Sequence, residues 1–413
     1  MNMRWYLRIL LALFLLGTLT GWKTLERKTA LPARYANEAT IDGMADVRYS
    51  VNTPGGIQAL LIDLEQALET LNREQPKAPI NYLSLSGGGG HGAFGAGLLY
   101  GWSQSGTRPE FNMVTGVSTG ALMAPFAFLG ESYDAQLKTL YTTISKKDVV
   151  RDRGYALALL SDGMGDTTPL YQLITKNITP ELLRKIAYEY KVRGRVLMIG
   201  TTNLDTTQPI IWNMGKIAAY DSPEALRLFR KVMLASASLP GFFSPVMLDA
   251  EYKGSAYQEM HVDGGVSRTV FLYPASLFRD SGAYKLLEGR KREAYLIRNG
   301  LLDPGTSQTV ERKTLSIANQ ALRQFAHSHG EGDVFLAYMT AKQDGFGFNL
   351  AYITRDFNVP TPADQFNTQH MRALFDYAQT RARNGYPWAK EPPGLNEAMA
   401  TSVMKYRESL KAD

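Results

Sequence analysis

A serine in a glycine-flanked turn is the first residue of this sequence whose surroundings suggest catalysis. Residues 116–120 read GVSTG, after the strand-like segment FNMVTGVS and before the helix-like segment TGALMAPFAFLG. Such a strand-to-helix turn lifts the serine hydroxyl to the edge of a sheet, at the start of a helix whose dipole favours negative charge. Gly116 and Gly120 stand where side chains would collide with neighbouring elements. The pattern predicts that Ser118 is an acyl-transfer nucleophile.

A glycine-rich stretch precedes this turn. Residues 84–98 read SLSGGGGHGAFGAGL, with seven glycines in eleven consecutive positions. Ordered glycine is costly in backbone entropy, so a cluster this dense needs a reason. An acyl-transfer serine needs hydrogen-bond donors directed at the oxyanion, and the amides of a glycine-rich turn at a helix start supply them without obstructing side chains. We expect the oxyanion hole to be formed by Gly87, Gly88, Gly89 and Gly90.

Nucleotide binding is the alternative interpretation of the same glycines. Gly90, Gly92 and Gly95 spell G-x-G-x-x-G after a strand, which is the dinucleotide fingerprint. That fingerprint expects an acidic residue about 20 positions further on, at the end of the next strand. Between Gly95 and Glu131 the only acidic residue is Glu110, which precedes that strand instead of ending it. The P-loop, the other nucleotide-binding pattern, would need a Gly-Lys-Ser/Thr after the glycines, and none follows. Both nucleotide patterns are therefore incomplete.

The serine also needs a base, and the sequence offers two kinds. A hydrolase triad in the order serine, acid, histidine leaves His327, His329 and His370 eligible, but none of them lies in a motif. The alternative is Asp263 in VDGGV, where Gly264 and Gly265 mark a tight turn. The complete set of histidines is His91, His261, His327, His329 and His370.

The motifs GGGGHG, GVSTG and DGG, in this order, resemble those of the patatin-like phospholipase family. The similarity runs from about Ile80 to Asn299. It implies an α/β fold of three layers, with a central, mostly parallel sheet flanked by helices. It also implies a Ser–Asp dyad of Ser118 as nucleophile and Asp263 as base and acid, with no metal and no cofactor. The supporting glycines carried over with the motifs are Gly92, Gly116, Gly120, Gly264 and Gly265.

One departure from the family pattern concerns the glycine-rich loop, residues 86–91. Ser86 and His91 stand where the family commonly has an aspartate and an arginine or lysine. The loop therefore lacks a fixed cation. The function implied is lipid acyl hydrolysis of the phospholipase A or lysophospholipase type, through an acyl-serine intermediate. The alternatives are a general esterase or lipase for neutral or small esters, and a non-catalytic lipid-binding protein.

The charge distribution singles out the N-terminus. Of the net charge of +6, residues 1–29 carry +4, so the rest of the chain is too weakly basic to predict a nucleic-acid partner. The apolar run from Ile9 to Leu16 follows basic residues, as in an export signal or membrane anchor. The chain has no cysteine, which suits an oxidising compartment. We expect a location in the cell envelope, with membrane lipids as substrate; the sequence predicts no oligomeric state.

Alternating strand and helix patterns predict the α/β class independently of the motifs. We expect residues 1–29 to be a signal or anchor and 30–78 to be a tether followed by an amphipathic helix. A catalytic domain would span 79–360 and a helical extension 361–413. Within these segments the pattern favours an irregular stretch for MLDAEYKGSAYQEM and a strand for DVFLAYMTA.

Overall fold

The computed structural model describes residues 25–152, 161–273, 282–302, 310–360, 362 and 364–395. The predicted N-terminal signal or anchor (residues 1–24 of it) and the end of the C-terminal extension lie outside these residues. Within the described ranges, no helix combines the length and apolarity that a membrane crossing requires.

Strands and helices alternate along most of the chain, as the sequence predicts. The strands are β1 Thr40–Ile41, β2 Arg48–Ser50, β3 Ile80–Leu85, β4 Met113–Gly116, β5 Arg151–Asp152, β6 Gly165–Asp166, β7 Val196–Asn203, β8 Gln208–Asn213, β9 Val246–Tyr252, β10 Ser255–Asp263, β11 Arg292–Leu301 and β12 Gly347–Ile353. The helices are α1 Pro54–Glu74, α2 Gly92–Gln104, α3 Thr119–Leu129, α4 Asp134–Thr142, α5 Lys146–Val149, α6 Thr168–Asn177, α7 Pro180–Lys191, α8 Met214–Ala219, α9 Pro223–Ser236, α10 Gly282–Leu287, α11 Thr314–Gln343 and α12 Thr368–Arg383.

The main sheet has the strand order β1-β9-β10-β7-β4-β3-β11-β12, with β8 and β2 branching from β7. Its central strands β7, β4, β3, β11 and β12 run parallel. The strands from β10 outward pair antiparallel. Because parallel strands end at the same edge of a sheet, the turns after β3 and β4 emerge side by side.

Helices cover both faces of the sheet and make three layers. Successive side chains of a strand point to opposite faces, and on β3 this sends Leu83 and Leu85 into one core and Ile80 and Tyr82 into the other. The first core is completed by α2, α3, α9 and α12, and the second by α1 and α11. The predicted fold class, α/β with a central, mostly parallel sheet flanked by helices, is confirmed.

Three local expectations were wrong. Part of the expected tether forms β1 and β2, which pair with β9 and β8 at the sheet edges. The stretch expected to be irregular forms the antiparallel hairpin of β9 and β10. The segment DVFLAYMTA, expected to be a strand, lies within α11. In that helix Val334, Ala337 and Ala341 follow helical spacing and pack on the sheet.

Helix α12 explains two further glycines, one at the end of the glycine-rich stretch and one just after it. A Cβ on Gly97 would lie 2.2 Å from the carbonyl oxygen of Phe375, and one on Gly101 would lie 2.2 Å from that of Gln379. These glycines are one helical turn apart on α2 and face the backbone of α12. The C-terminal segment therefore packs directly on the helix that follows the glycine-rich loop.

Candidate active site

Ser118 occupies a strained turn between β4 and α3. Its backbone has φ 55° and ψ −124°, a combination that L-residues rarely adopt and that is costly by about 1–3 kcal/mol. A Cβ on Gly116 would lie 2.6 Å from the carbonyl oxygen of Gly120, and one on Gly120 would lie 2.2 Å from that of Leu85. These approaches account for the glycine at both flanking positions of the turn.

A buried serine that the sequence analysis missed supports this turn. The Ser118 amide donates to the hydroxyl oxygen of Ser236 at 3.0 Å, and the Ser236 hydroxyl donates to the carbonyl oxygen of Gly200 at 2.7 Å. Ser236 lies at the end of α9. It thus connects the strained residue to β7, the neighbouring strand. The local sequence SAS gives no sign of a partner so distant along the chain.

Asp263 reaches Ser118 from the other side of β7. It is the last residue of β10 and pairs with Thr201 of β7. The turn that follows crosses close over β7, since a Cβ on Gly264 would lie 2.5 Å from the carbonyl oxygen of Gly200. The structure thus brings the side chains of Ser118 and Asp263 together, close enough for Ser118 to lower the pKa of the carboxyl group.

The environment of Asp263 makes its carboxylate more basic than usual. The residue is 4% exposed, and burial raises its pKa to about 6, although the hydrogen bonds from the Ser118 side chain and the Gly265 amide act in the opposite direction. The Gly265 amide donates to Oδ1 of Asp263 at 2.7 Å. That bond fixes the orientation of the carboxylate, which is the role the geometry gives the second glycine of DGG.

The glycine-rich loop lies beside Ser118, and its four candidate amides are not equivalent. Gly87 is so close that a Cβ there would lie 3.1 Å from the Cβ of Ser118. Its amide, however, donates to the carbonyl oxygen of Thr269 at 2.9 Å. Gly87 therefore makes room for the nucleophile, but its N–H is already engaged. This corrects the expectation that all four amides are free to bind an oxyanion.

Three amides remain as candidate donors. Those of Gly88, Gly89 and Gly90 donate no hydrogen bond to any residue in the part of the chain that the structure describes. Gly88 has φ 155° and Gly89 has φ 56°, conformations that glycine adopts without the Cβ penalty. A Cβ on Gly90 would lie 1.8 Å from the carbonyl oxygen of Gln365, so the segment before α12 covers the loop at this residue.

The two residues that depart from the family pattern border this loop. Ser86 is fully buried. The ring of His91 lies 6.0 Å from that of His370 in α12. Gly92 begins α2, and a Cβ there would lie 2.2 Å from the side-chain oxygen of Thr119. This position therefore needs a glycine for packing against the first turn of α3.

Three described histidines have surroundings other than Ser118. His261 is fully buried, with Nε2 3.0 Å from Glu259 and Nδ1 2.9 Å from Thr201. His329 is exposed on α11, and burial lowers the pKa of His370. The side chain of His327 lies outside the described part of the chain.

One surface depression is separate from the candidate site. A depression of about 410 Å³ opens at the far end of α3, lined by Leu129, Tyr133 and Lys185 among others, and contains none of the candidate residues.

Among the described residues, no group of three or more histidines, cysteines or acids is placed to hold a metal ion.

Comparison with known proteins connects the site to lipid hydrolysis. Residues 83–276, a little under half of the chain, match the family model for patatin-like phospholipases. The matched region contains Ser118, Asp263 and the glycine-rich loop, whereas β11, β12 and α12 lie beyond it. The match supports a lipid-hydrolysing enzyme. No curated protein matches the chain in sequence.

Two solved structures are similar at low sequence identity. One is the crystal structure of VipD from Legionella pneumophila, with a TM-score of 0.36 and 12% identity over 75% of this chain and 67% of that chain. The other is human GIVD cytosolic phospholipase A2, with a TM-score of 0.35 and 11% identity over 79% of this chain and 63% of that chain. The match to the human protein thus spans less than two thirds of its length.

Proposed function

We propose that the chain is a lipid acyl hydrolase that cleaves carboxylic esters of phospholipids or lysophospholipids through an acyl intermediate on Ser118. The family match over residues 83–276 supports the substrate class. The observation that carries the chemistry is the placement of Ser118, in its strained turn, beside the buried carboxylate of Asp263. A nucleophile beside an oriented base is the arrangement that covalent catalysis needs.

In the first half of the proposed reaction, Oγ of Ser118 attacks the ester carbonyl while Asp263 accepts its proton. The carbonyl oxygen becomes an oxyanion, and the amides of Gly88, Gly89 and Gly90 are the donors available to hold it. The bond to the leaving alcohol then breaks, and Asp263 returns the proton to the alcohol oxygen. The acyl group stays on Ser118.

In the second half, water replaces the alcohol. Asp263 accepts a proton from the water as its oxygen attacks the acyl carbonyl, and the same amides hold the second oxyanion. The fatty acid leaves and Ser118 recovers its proton. A carboxylate suits this role because its pKa, raised by burial to about 6, is closer to neutrality than that of an exposed aspartate. No imidazole is needed between serine and acid.

The test is covalent labelling of the full chain with a fluorophosphonate ester, followed by mass spectrometry. Wild type, Ser118→Ala and Asp263→Asn are compared, alongside fatty-acid release from mixed phospholipid and glyceride vesicles. We expect the label on Ser118 of the wild type and fatty acid from the phospholipid. Folded wild-type protein that neither takes the label nor releases fatty acid would contradict the proposal and favour a lipid-binding protein. A chain-length series in which only short, soluble esters react would favour a general esterase.

We also propose that the N-terminal apolar segment associates the chain with a membrane. The described residues that follow it are held along the edge of the sheet. Arg27 forms a two-bond ion pair with Asp205, both bonds 2.8 Å long, and the Ala30 backbone bridges to Gln258. We expect the full chain to sediment with membranes and a chain beginning at residue 25 not to do so. Equal distribution of both would contradict the proposal.

A further inference from the structure

We infer that Asn299 is a positioning residue that holds the glycine-rich loop in the conformation that directs its amides at the oxyanion. The inference rests on the proposed function, because it concerns the same reaction. Asn299 lies near the end of β11, which is parallel to and paired with β3, the strand that leads into the loop. It lies outside the region that matches the family model.

The side chain of Asn299 bridges the two ends of the loop. Its Nδ2 donates to the carbonyl oxygen of Ser86 at 2.8 Å, at the point where β3 gives way to the loop. Its Oδ1 accepts from the amide of Gly95 at 3.0 Å, in the first turns of α2. The residue is 1% exposed. The bridge therefore fixes the distance between the strand and the helix that the glycines connect.

These two bonds require a side chain that both donates and accepts a hydrogen bond. One amide oxygen must accept from an N–H while one amide nitrogen donates to a C=O, so the side chain must carry both groups on one planar head. An ionised aspartate of nearly the same shape has acceptors only. It would leave the Ser86 carbonyl oxygen facing a carboxylate oxygen in a buried site, which is strongly unfavourable.

The backbone of Asn299 also contacts the loop. Its amide donates to the hydroxyl oxygen of Ser86 at 2.8 Å, and that hydroxyl donates to the carbonyl oxygen of Gly87 at 2.7 Å. A Cβ on Gly88 would lie 2.1 Å from the carbonyl oxygen of Asn299. Gly88, the first free candidate donor, thus rests against Asn299 directly.

The serine at position 86 fits this arrangement. A small, neutral hydroxyl there accepts from one backbone amide and donates to the next carbonyl, and it is fully buried. The sequence departs from the family pattern at this residue, where an aspartate is common. Ser86 therefore shares the positioning of the loop with Asn299.

The test is steady-state kinetics on phospholipid vesicles with full-chain Asn299→Asp and Ser86→Ala. Misplacement of preorganised groups by about 1 Å lowers rates by roughly 10²-fold. We expect kcat to fall by about that factor in Asn299→Asp and by roughly tenfold in Ser86→Ala. KM should stay within about twofold of the wild type, because the groups that bind the substrate in its ground state are unchanged. The rate of fluorophosphonate labelling of Ser118 should fall in parallel with kcat.

Asn349→Asp is the matched control. Asn349 is a buried asparagine on β12 whose Nδ2 donates to Glu293 at 2.8 Å and to the carbonyl oxygen of Ala294 at 3.3 Å, away from the loop. We expect it to lose thermal stability but keep its kcat. If Asn299→Asp does not fold, the kcat and labelling rate of Ser86→Ala test the inference instead. Wild-type kcat in the folded loop variants would overturn the inference, as would an equal fall in the control. An inactive, unlabelled wild type would instead refute the proposed function.

Discussion

The carbonyl oxygen of Phe375 lies 2.2 Å from the place that a Cβ on Gly97 would occupy. Helix α12 therefore approaches α2 at backbone distance, and Gly101 allows the same approach one turn later. The glycine-rich stretch thus has two functions in the structure. Gly87 makes room for Ser118 at the start of the stretch, and Gly97 near its end makes room for the C-terminal helix.

Gly97→Ala should destabilise the protein, because the added methyl group meets backbone atoms that cannot rotate away. Overpacking of this kind typically lowers the free energy of unfolding by about 1–3 kcal/mol, and the contact here is at the severe end. The measurement is chemical denaturation of the wild type and the variant.

Gly332→Ala is the control for this substitution. Gly332 is also a helix glycine, on α11, but a Cβ there would meet no atom within 4 Å. It should raise the free energy of unfolding by about 0.5–1 kcal/mol, since alanine is the better helix former. Destabilisation of similar size in both variants would show that the approach of α12 is not what requires glycine at position 97.

The sequence predicted the elements whose pattern is local. The strand β3, the turn at Ser118 and the amphipathic helix α1 each have a periodicity or a motif within a few residues of themselves. The prediction failed for residues 333–341, because apolar residues there lie on both sides of α11. Phe335, Leu336 and Met339 are exposed, while Val334 and Ala337 are buried. An apolar run without a polar face is read as a buried strand as readily as a helix.

The site was predictable only to the level of residue type and order. Nothing near Gly87 in the sequence shows that its amide is engaged by Thr269, since that bond joins segments brought together by the fold. The same holds for Ser236 and Asn299, which are ordinary strand or helix residues until their distant partners are known. Tertiary hydrogen bonds of this kind leave no local signal.

The backbone strain at Ser118 predicts a difference in stability between two inactive variants. Ser118→Gly should be more stable than Ser118→Ala by about 1–2 kcal/mol, because glycine adopts φ 55° with little penalty whereas alanine retains the strain. Both should be inactive. Denaturant unfolding of the two variants measures the difference directly. Equal stabilities would mean that the turn stores no strain in solution.

The rate should depend on pH through the ionisation of Asp263. Because the base must be charged to accept a proton, kcat should rise with pH and level off above the pKa of about 6. The measurement is kcat on vesicles from pH 4.5 to 8, with protein integrity checked at each pH. A rate that is flat across pH 6, or that falls as pH rises, would argue against a carboxylate base with this pKa.

The raised pKa of Asp263 also predicts how stability changes with pH. Its pKa is about 6 in the folded state and about 3.9 in an unfolded chain, so the folded state binds more protons between these two pH values. Stability from this group is therefore full below about pH 4 and is lost as pH rises through 6. Asp263→Asn removes this loss, and its free energy of unfolding relative to the wild type should rise by about 2 kcal/mol between pH 4 and pH 7. A difference independent of pH would show that Asp263 titrates normally.

Ser236 should matter for the rate more than for the fold. Its hydroxyl accepts a hydrogen bond from the Ser118 amide and donates one to the Gly200 carbonyl oxygen, so Ser236→Ala removes both bonds and frees the strained turn to shift. We expect kcat to fall by roughly tenfold, with KM nearly unchanged.

Ser238→Ala provides the matched comparison, because Ser238 is equally buried but its hydroxyl donates only to the carbonyl oxygen of Leu234. Both variants should lose about 1 kcal/mol of stability from a deleted buried hydrogen bond. Only Ser236→Ala should show the lower kcat and slower labelling of Ser118. If the two variants lost the same activity, the effect would be one of general packing, and the link from β7 through Ser236 to the nucleophile would have no part in the reaction.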